Sequence, residues 1–383
     1  MVATSGPPRR SGVVLPTALT VSAAAALLPS RGFAAPVRLQ DLAAWQGGRP
    51  AALCLAYVAF RAARFALRCV RFVWAHFLQR PHDLAQRYGG GAASHSYVVV
   101  TGATSEGIGF AFCEEWADRG FSIALVGRSE GKLKAVADKL QARMDRAGTG
   151  ATVLKICADL GNVGGKGDGA VSDILSSLEG KDVAAVVHAA GVETIANPFT
   201  KNSIEYNREA INVNATAAVL LTQALLPQLV GRVEGGAAKR SAVIFVAAGL
   251  ALRPAPGANL YAASKSMENF FGQAVAVEFA ATVDSLVVHP LGVATAMVPE
   301  KPDGLSVITP QQCARASIRQ LGHAWAAGSW TNGWFFHELQ WGILQRAPSF
   351  AWHKMWMEFA PAKIAELRAA QGAGAGGGSS AGP

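Results

Sequence analysis

Apolar residues in the middle of the chain fall in short unbroken blocks. Residues 97–101, 121–126, 152–157, 183–188, 242–247 and 285–289 are runs of Val, Ile, Leu, Ala and Phe with few polar interruptions. Blocks that are apolar at odd and even positions alike predict strands covered on both faces, the situation of a parallel sheet. Longer stretches with a polar side lie between them, and 107–120 and the charge-rich 130–146 read as helices. Alternating strand and helix predicts an α/β fold with a doubly wound, mostly parallel sheet.

The flanks follow other patterns. In residues 51–79, Arg61, Arg64, Arg68 and Arg71 are spaced three, four and three apart, so they share one face of a helix whose other faces are apolar. Such a helix suits a membrane interface with its arginines toward headgroups, or packs on the domain with an exposed arginine stripe. Four arginines make a full crossing costly. Further upstream, Arg9 and Arg10 precede an apolar run, 13–28, and a zone of small residues around Phe33. That pattern fits a secretory signal or an organellar presequence, with an unstructured tail as the plain alternative. Near the other end, Trp325, Trp330, Trp334, Trp341, Trp352 and Trp356 gather with Phe335, Phe336, Phe350 and Phe359. They predict an aromatic helical region that is either an acyl or steroid wall, a membrane interface or a plain core. The divisions are thus 1–40 (targeting), 41–82 (basic amphipathic helix), 83–297 (sheet domain), 298–370 (substrate loop and C-terminal helices) and 371–383 (Gly/Ala/Ser tail).

Charge changes the picture only at the N-terminus. The net charge of +9 resides in residues 1–80, which hold ten arginines, no lysine and one acid, Asp41. The remainder is neutral, which argues against a nucleic-acid-binding domain. The five cysteines (Cys54, Cys69, Cys113, Cys157 and Cys313) have no metal-ligand spacing, and no metal is expected.

Two motifs carry chemistry. Gly102, Thr104, Ser105, Gly107, Ile108 and Gly109 stand where the first strand gives way to the first helix. Glycines there let backbone approach a pyrophosphate, and the helix N-terminus offers free N–H groups, a Rossmann-type nucleotide site. Tyr261 and Lys265, four apart, lie on one helix face. The lysine ammonium can favour ionisation of the phenol and hold a ribose, while the phenol gives a proton to a carbonyl. At the end of the second strand stands Arg128 where an acid would select NADH, so NADPH is the expected cofactor.

These residues resemble the short-chain dehydrogenase/reductase family, and within it the branch of 17β-hydroxysteroid dehydrogenases and very-long-chain 3-oxoacyl-CoA reductases. The likeness runs from about residue 83 to about residue 345. It is carried by Asp83-Leu84, Arg87-Tyr88-Gly89, the stretch 97–104, Leu125 to Ser129, Tyr261 to Lys265, and Pro290 to Met297. It implies that Tyr261 is the proton donor, that Lys265 bonds the ribose, and that Asn214 holds a relay water. It further implies that Asp159 binds adenine, that Ala190, Gly191, Pro290 and Val293 line the cofactor, and that Thr295 bonds the carboxamide. A long-chain 3-oxoacyl-CoA substrate in fatty-acid elongation follows, or else a 17-ketosteroid. So do a membrane surface as partner, a possible homodimer, and the endoplasmic reticulum or a plastid envelope as location.

The sequence departs from the family pattern twice. The family's Asn-Asn-Ala-Gly reads His188-Ala189-Ala190-Gly191, which removes amide hydrogen bonds between central strands; His188 reads as a satisfied core histidine. The serine or threonine expected thirteen residues before the tyrosine is Ala248. Without that donor the chain is either a reductase with a remodelled carbonyl site, Asn259 being a candidate substitute, or a nucleotide-binding pseudoenzyme.

Overall fold

In the computed structural model the described residues are 49–103, 107–164, 169–192, 199–298, 300–323 and 329–358. The chain divides into two units, 1–65 and 66–383. Helix α1, Arg49–Val73, begins in the first. Within that unit Arg61 donates to the Tyr57 hydroxyl at 2.7 Å and Arg64 lies over the Phe60 ring. Leu53, Leu55, Tyr57, Val58, Phe60 and Phe65 are all exposed.

The second unit is built on a parallel sheet. Its strands are β1 (Ser96–Thr101), β2 (Ser122–Gly127), β3 (Val153–Cys157), β4 (Asp182–His188), β5 (Ser241–Val246) and β6 (Val283–Val288), each within a residue or two of its apolar block. Their spatial order is β3-β2-β1-β4-β5-β6, the doubly wound arrangement expected, with the chain reversing direction across the sheet between β1 and β4. Successive residues of one strand serve opposite cores. Val98 and Val100 join one apolar cluster and Val99 the other. That two-sided burial is why the strands read as continuous apolar runs.

Helices α2 (Leu84–Tyr88), α3 (Ile108–Ala117), α4 (Glu130–Ala147), α5 (Gly169–Ser177), α6 (Ile204–Ile211), α7 (Ala217–Glu234) and α8 (Asn259–Glu278) complete the layers. Asp83 caps α2 by accepting from Gln86 N. The sequence Arg87-Tyr88 then delivers two donors to Asp284 at the start of β6: Arg87 Nε at 2.7 Å and Tyr88 Oη at 2.7 Å. Arg240 Nη2 adds a third at 2.8 Å. A buried carboxylate with this many charge-assisted bonds fastens the segment before β1 to the amino ends of β5 and β6.

A seventh strand was not apparent in the apolar pattern. After the short pair β7 (Gly292–Val293) and β8 (Val307–Ile308) and helix α9 (Pro310–Gln320), strand β9 (Trp330–Thr331) adds to the edge beside β6. Helix α10, Phe335–Leu344, follows. Among the described residues one helix is long and apolar enough to cross a membrane, Ile204–Glu234, and 44% of its apolar window is buried inside the fold.

Candidate active site

The residues singled out for nucleotide binding stand at the carboxyl ends of the parallel strands, where ligands bind in sheets of this kind. Gly102 follows β1 with φ +72°, and a Cβ there would stand 2.6 Å from Ala190 N. A Cβ at Gly109 would stand 2.8 Å from the Gly102 carbonyl oxygen. Both positions therefore need glycine to let β1, the loop after β4 and the start of α3 come together. Gly107 is the residue preceding α3, and Ile108 packs against the core. Thr104 and Ser105 lie outside the described residues.

The missing asparagine after β4 has a replacement. Thr101 Oγ1 accepts from Ala189 N at 3.2 Å and from Ala190 N at 3.3 Å, so the β1–β4 tie is made from the β1 side. His188 turns into the core, bonded to Thr222 Oγ1 at 2.8 Å and stacked on Phe245. Burial, helped by the Lys265 charge, pushes its pKa down to about 3, so it is neutral and structural.

Just past β2, Arg128 is 65% exposed and its Nη1 donates to Glu209 Oε1 at 2.9 Å. The Asp159 carboxylate caps the short 3₁₀ turn Leu160–Asn162, accepting from Gly161 N and Asn162 Nδ2. Beyond β6, Pro290 accepts a backbone bond from Gly249 N, Val293 is buried in β7, and Thr295 Oγ1 accepts from Met297 N.

The chemistry-bearing side chains converge from two helices. Asn214 sits in a π-helical segment, Asn212–Thr216, between α6 and α7. Residues two apart on a helix do not share a face, which separates the two asparagines. Asn212 Nδ2 donates away from the site to Gly161 O, while Asn214 is fully buried and clamps Val192 by bonds of 2.7 and 2.9 Å. Asn214 Nδ2 also reaches Ser264 Oγ, which donates to Tyr261 O. Both ends of the Asn214 side chain are thus engaged with protein. Tyr261 is half-buried in the first turn of α8 and Lys265 is buried one turn on. A Cβ at Gly191 would stand 3.5 Å from Asn214 Oδ1 and 3.6 Å from Lys265 Nζ. The loop after β4, Asn214 and Lys265 therefore meet at one point.

Ala248 is buried just past β5 in extended backbone (φ −160°, ψ 159°), presenting a methyl group where the carbonyl donor is expected. Asn259 is exposed at the start of α8, and its Oδ1 accepts from Leu260 N. One participant escaped the reading of the sequence. Glu268 lies on the inner side of α8, and Lys265 Nζ donates to it at 2.7 Å and to Val246 O at 2.9 Å. An acid three residues after the lysine, on the face that also carries Ser264, Asn269 and Gly272, was a legible signal.

The loop after Thr295 is braced rather than loose. Asp303 Oδ1 accepts from the amides of Leu305, Ser306 and Val307, and Trp334 Nε1 donates to Gly304 O. Pro299, Trp325 and Phe359 lie outside the described residues. Of the aromatic group, Trp341 and Trp352 are core. Trp352 Nε1 donates to Pro254 O, and Trp356 packs with Ala255, Ala258 and Ala262 at the start of α8. The aromatic region thus backs the helix that bears Tyr261. Among the described residues no group of His, Cys, Asp and Glu could hold a metal ion.

Residues 96–305 match the family model for short chain dehydrogenase. The chain is 31% identical over 290 residues to the inactive hydroxysteroid dehydrogenase-like protein 1 of Pongo abelii, covering 72% of this chain and 79% of that protein. It is 28% identical to the 17-beta-hydroxysteroid dehydrogenase type 3 of Danio rerio, covering 66% and 78%. It is 26% identical over 312 residues to the very-long-chain 3-oxoacyl-CoA reductase of Macaca fascicularis, covering 79% and 89%. A solved 7beta-hydroxysteroid dehydrogenase shares the fold with a TM-score of 0.57 at 22% identity, over 75% of this chain and 99% of that one. The family match takes in β1 through β6 together with the helices that carry Asn214, Tyr261 and Lys265. On these grounds the chain belongs to the short chain dehydrogenase family.

Proposed function

We propose that this protein is a membrane-associated, NADPH-dependent reductase of a lipid ketone, with a long-chain 3-oxoacyl-CoA as substrate and the 3-hydroxyacyl-CoA as product. The observation that carries the reading is the meeting of Lys265 and Asn214 beside Gly191 after β4, with Tyr261 one helical turn before Lys265 on α8 and its main-chain carbonyl tied through Ser264 to Asn214. The residues fit a dinucleotide. Gly102 and Gly109 let the turn after β1, the loop after β4 and the start of α3 pack backbone to backbone, which puts the amino end of α3 at the carboxyl ends of the strands, and Arg128 stands where a 2′-phosphate would be met by a cation. A bound nicotinamide would supply a hydride to the carbonyl carbon. Tyr261 would give its hydroxyl proton to the carbonyl oxygen, Lys265 would hold the ribose and stabilise the phenolate left behind, and Asn214 fixes the loop after β4 through its bonds to Val192. Similarity to a very-long-chain 3-oxoacyl-CoA reductase supports the acyl-CoA substrate, and similarity to a 17-beta-hydroxysteroid dehydrogenase supports a ketosteroid as the next choice. The exposed apolar residues of α1, alternating with arginines, support docking on a lipid surface.

A second reading is favoured by one residue. Ala248 offers no hydrogen bond to a substrate carbonyl, and relatives named inactive are among the similar proteins. On that reading the chain binds nucleotide without turnover. Purified full-length protein in detergent, given NADPH and a long-chain 3-oxoacyl-CoA, separates the two. Loss of nicotinamide absorbance with formation of the 3-hydroxyacyl-CoA supports the reductase. Tight NADPH binding with no oxidation against acyl-CoA or 17-ketosteroid supports the binding protein.

A further inference from the structure

The end of α1 and helix α10 carry apolar surface that the fold leaves exposed. From residue 66 onward α1, with the π-helical turn Trp74–Leu78 that continues it, belongs to the second unit. Leu67, Val70, Trp74 and Phe77 recur there at helical spacing, and all four are exposed. On α10, Phe335, Leu339 and Ile343 are likewise four apart, and the last two are 52% and 66% exposed. The two stripes meet where the Phe77 ring packs on Phe335, with centroids 5.6 Å apart. Beside that contact His76 Nε2 donates to Glu338 Oε2 at 2.8 Å, across 262 positions of sequence. Two elements remote in the chain thus share one apolar face, which is more than a scatter of single surface residues.

Charge selects what covers it. Residues 66–79 contain no acid, and the single acid of α10 is Glu338, which His76 engages. Arg68 is exposed beside Leu67, and Arg346 is exposed just beyond Ile343. An apolar face with a cationic border suits the interface of an anionic bilayer. A two-fold contact with a second copy would set the same cations against one another. The opposite side of α10 holds the loop after Thr295: Trp334 Nε1, His337 Nε2 and Gln340 Nε2 donate to the carbonyls of Gly304, Ser306 and Leu305.

We propose that the end of α1 and the outer face of α10 form one docking surface for an anionic lipid bilayer, pinned together by the His76–Glu338 bond, with the loop after Thr295 held about one helix diameter, ~10 Å, from the lipid. The inference rests on the reading of α1 as a lipid-docking helix and adds a second lipid contact from the far end of the chain.

The test uses full-length protein and vesicles of mixed phosphatidylcholine and phosphatidylserine, and needs no turnover. Two photoreactive variants report what each position touches: Ile343→benzoylphenylalanine on α10, and Lys134→benzoylphenylalanine on α4, which flanks β3 at the sheet edge opposite β9. Illumination should give a lipid adduct from position 343 and none from position 134. In a separate sedimentation assay, Leu339→Glu combined with Ile343→Glu should lower vesicle partition about tenfold or more, because two apolar side chains leave the lipid and two carboxylates replace them. Both positions are exposed, so these changes leave the core intact. Vesicle-bound protein that gives no lipid adduct at 343, an adduct to a second chain in place of lipid, or a double variant that partitions like the native protein overturns the proposal. The outcomes also separate it from the reading on which it rests. Native protein that stays in solution removes lipid docking by α1 and this proposal together, whereas bound protein with position 343 away from lipid removes only the part played by α10.

Discussion

Restoring a hydroxyl at position 248 is the most informative single perturbation of the site. Ala248 is buried beside the loop that leads to Tyr261, and its extended backbone accepts serine without strain. An oxyanion-type donor is worth about 2.7–4 kcal/mol in the transition state, or roughly a hundred- to a thousandfold in rate. Two effects oppose that gain. A buried hydroxyl that finds no partner costs about 1–3 kcal/mol of stability. Position 248 is also the residue preceding the 3₁₀ turn Gly249–Leu252, which has no side-chain cap, so a serine can spend its oxygen on the turn instead of the substrate. The net expectation for Ala248→Ser is a rise in kcat of at least about tenfold and at most about a thousandfold, with little change in KM, because the bond strengthens as negative charge develops. Initial rates of NADPH oxidation over a substrate series, alongside Tm, measure both effects. Unchanged kcat in a variant that binds NADPH and melts like the native protein would refute the reasoning and show that a carbonyl donor at 248 is not what limits the reaction.

Gly102→Ala should abolish NADPH binding and lower Tm, since its Cβ would meet Ala190 N at 2.6 Å in a backbone with φ +72°; retained affinity by fluorescence titration would mean that this turn does not hold the nucleotide. Asp284→Asn should cost about 3–5 kcal/mol in urea denaturation at pH 7 by leaving Arg87 and Arg240 facing a neutral amide. Burial alone would raise the Asp284 carboxyl, but bonds from Arg87, Tyr88 and Arg240 hold it below the usual carboxylate range. A depressed carboxyl contributes its stability above the unfolded-state pKa and loses it as pH falls through the folded value, so the gap between native and variant should narrow in acid; a constant gap would count against the charge account. Arg128→Ala should weaken NADPH binding by about 10- to 100-fold and leave NADH unchanged, and equal effects on both would remove the 2′-phosphate role.

Much of this arrangement was legible in the sequence, for identifiable reasons. The six long strands are buried on both faces, and two-sided burial writes itself as unbroken Val, Ile and Ala runs. The glycine turn was legible because its steric demand excludes other residues, and Tyr261 with Lys265 because a helix turns their spacing into adjacency. What stayed hidden depends on contacts far apart in the chain or on backbone offsets. Asp284 joins Tyr88 across 196 positions, so no local pattern links them. Strand β9 has two residues and is defined by backbone bonds to β6. The π-helical segment that carries Asn212 and Asn214 differs from α-helix only in hydrogen-bond register. The tie made by Thr101 joins residues 88 and 89 positions apart, so no local pattern shows it.

The central claim is that Tyr261, one helical turn before Lys265 on α8, donates the proton in a nicotinamide-dependent reduction. The direct measurement compares native protein with Tyr261→Phe for NADPH affinity and for conversion of a long-chain 3-oxoacyl-CoA. The account predicts equal NADPH affinity, measurable product from the native protein, and a loss of at least about a hundredfold in Tyr261→Phe. Product formed at the same rate by both proteins would contradict it.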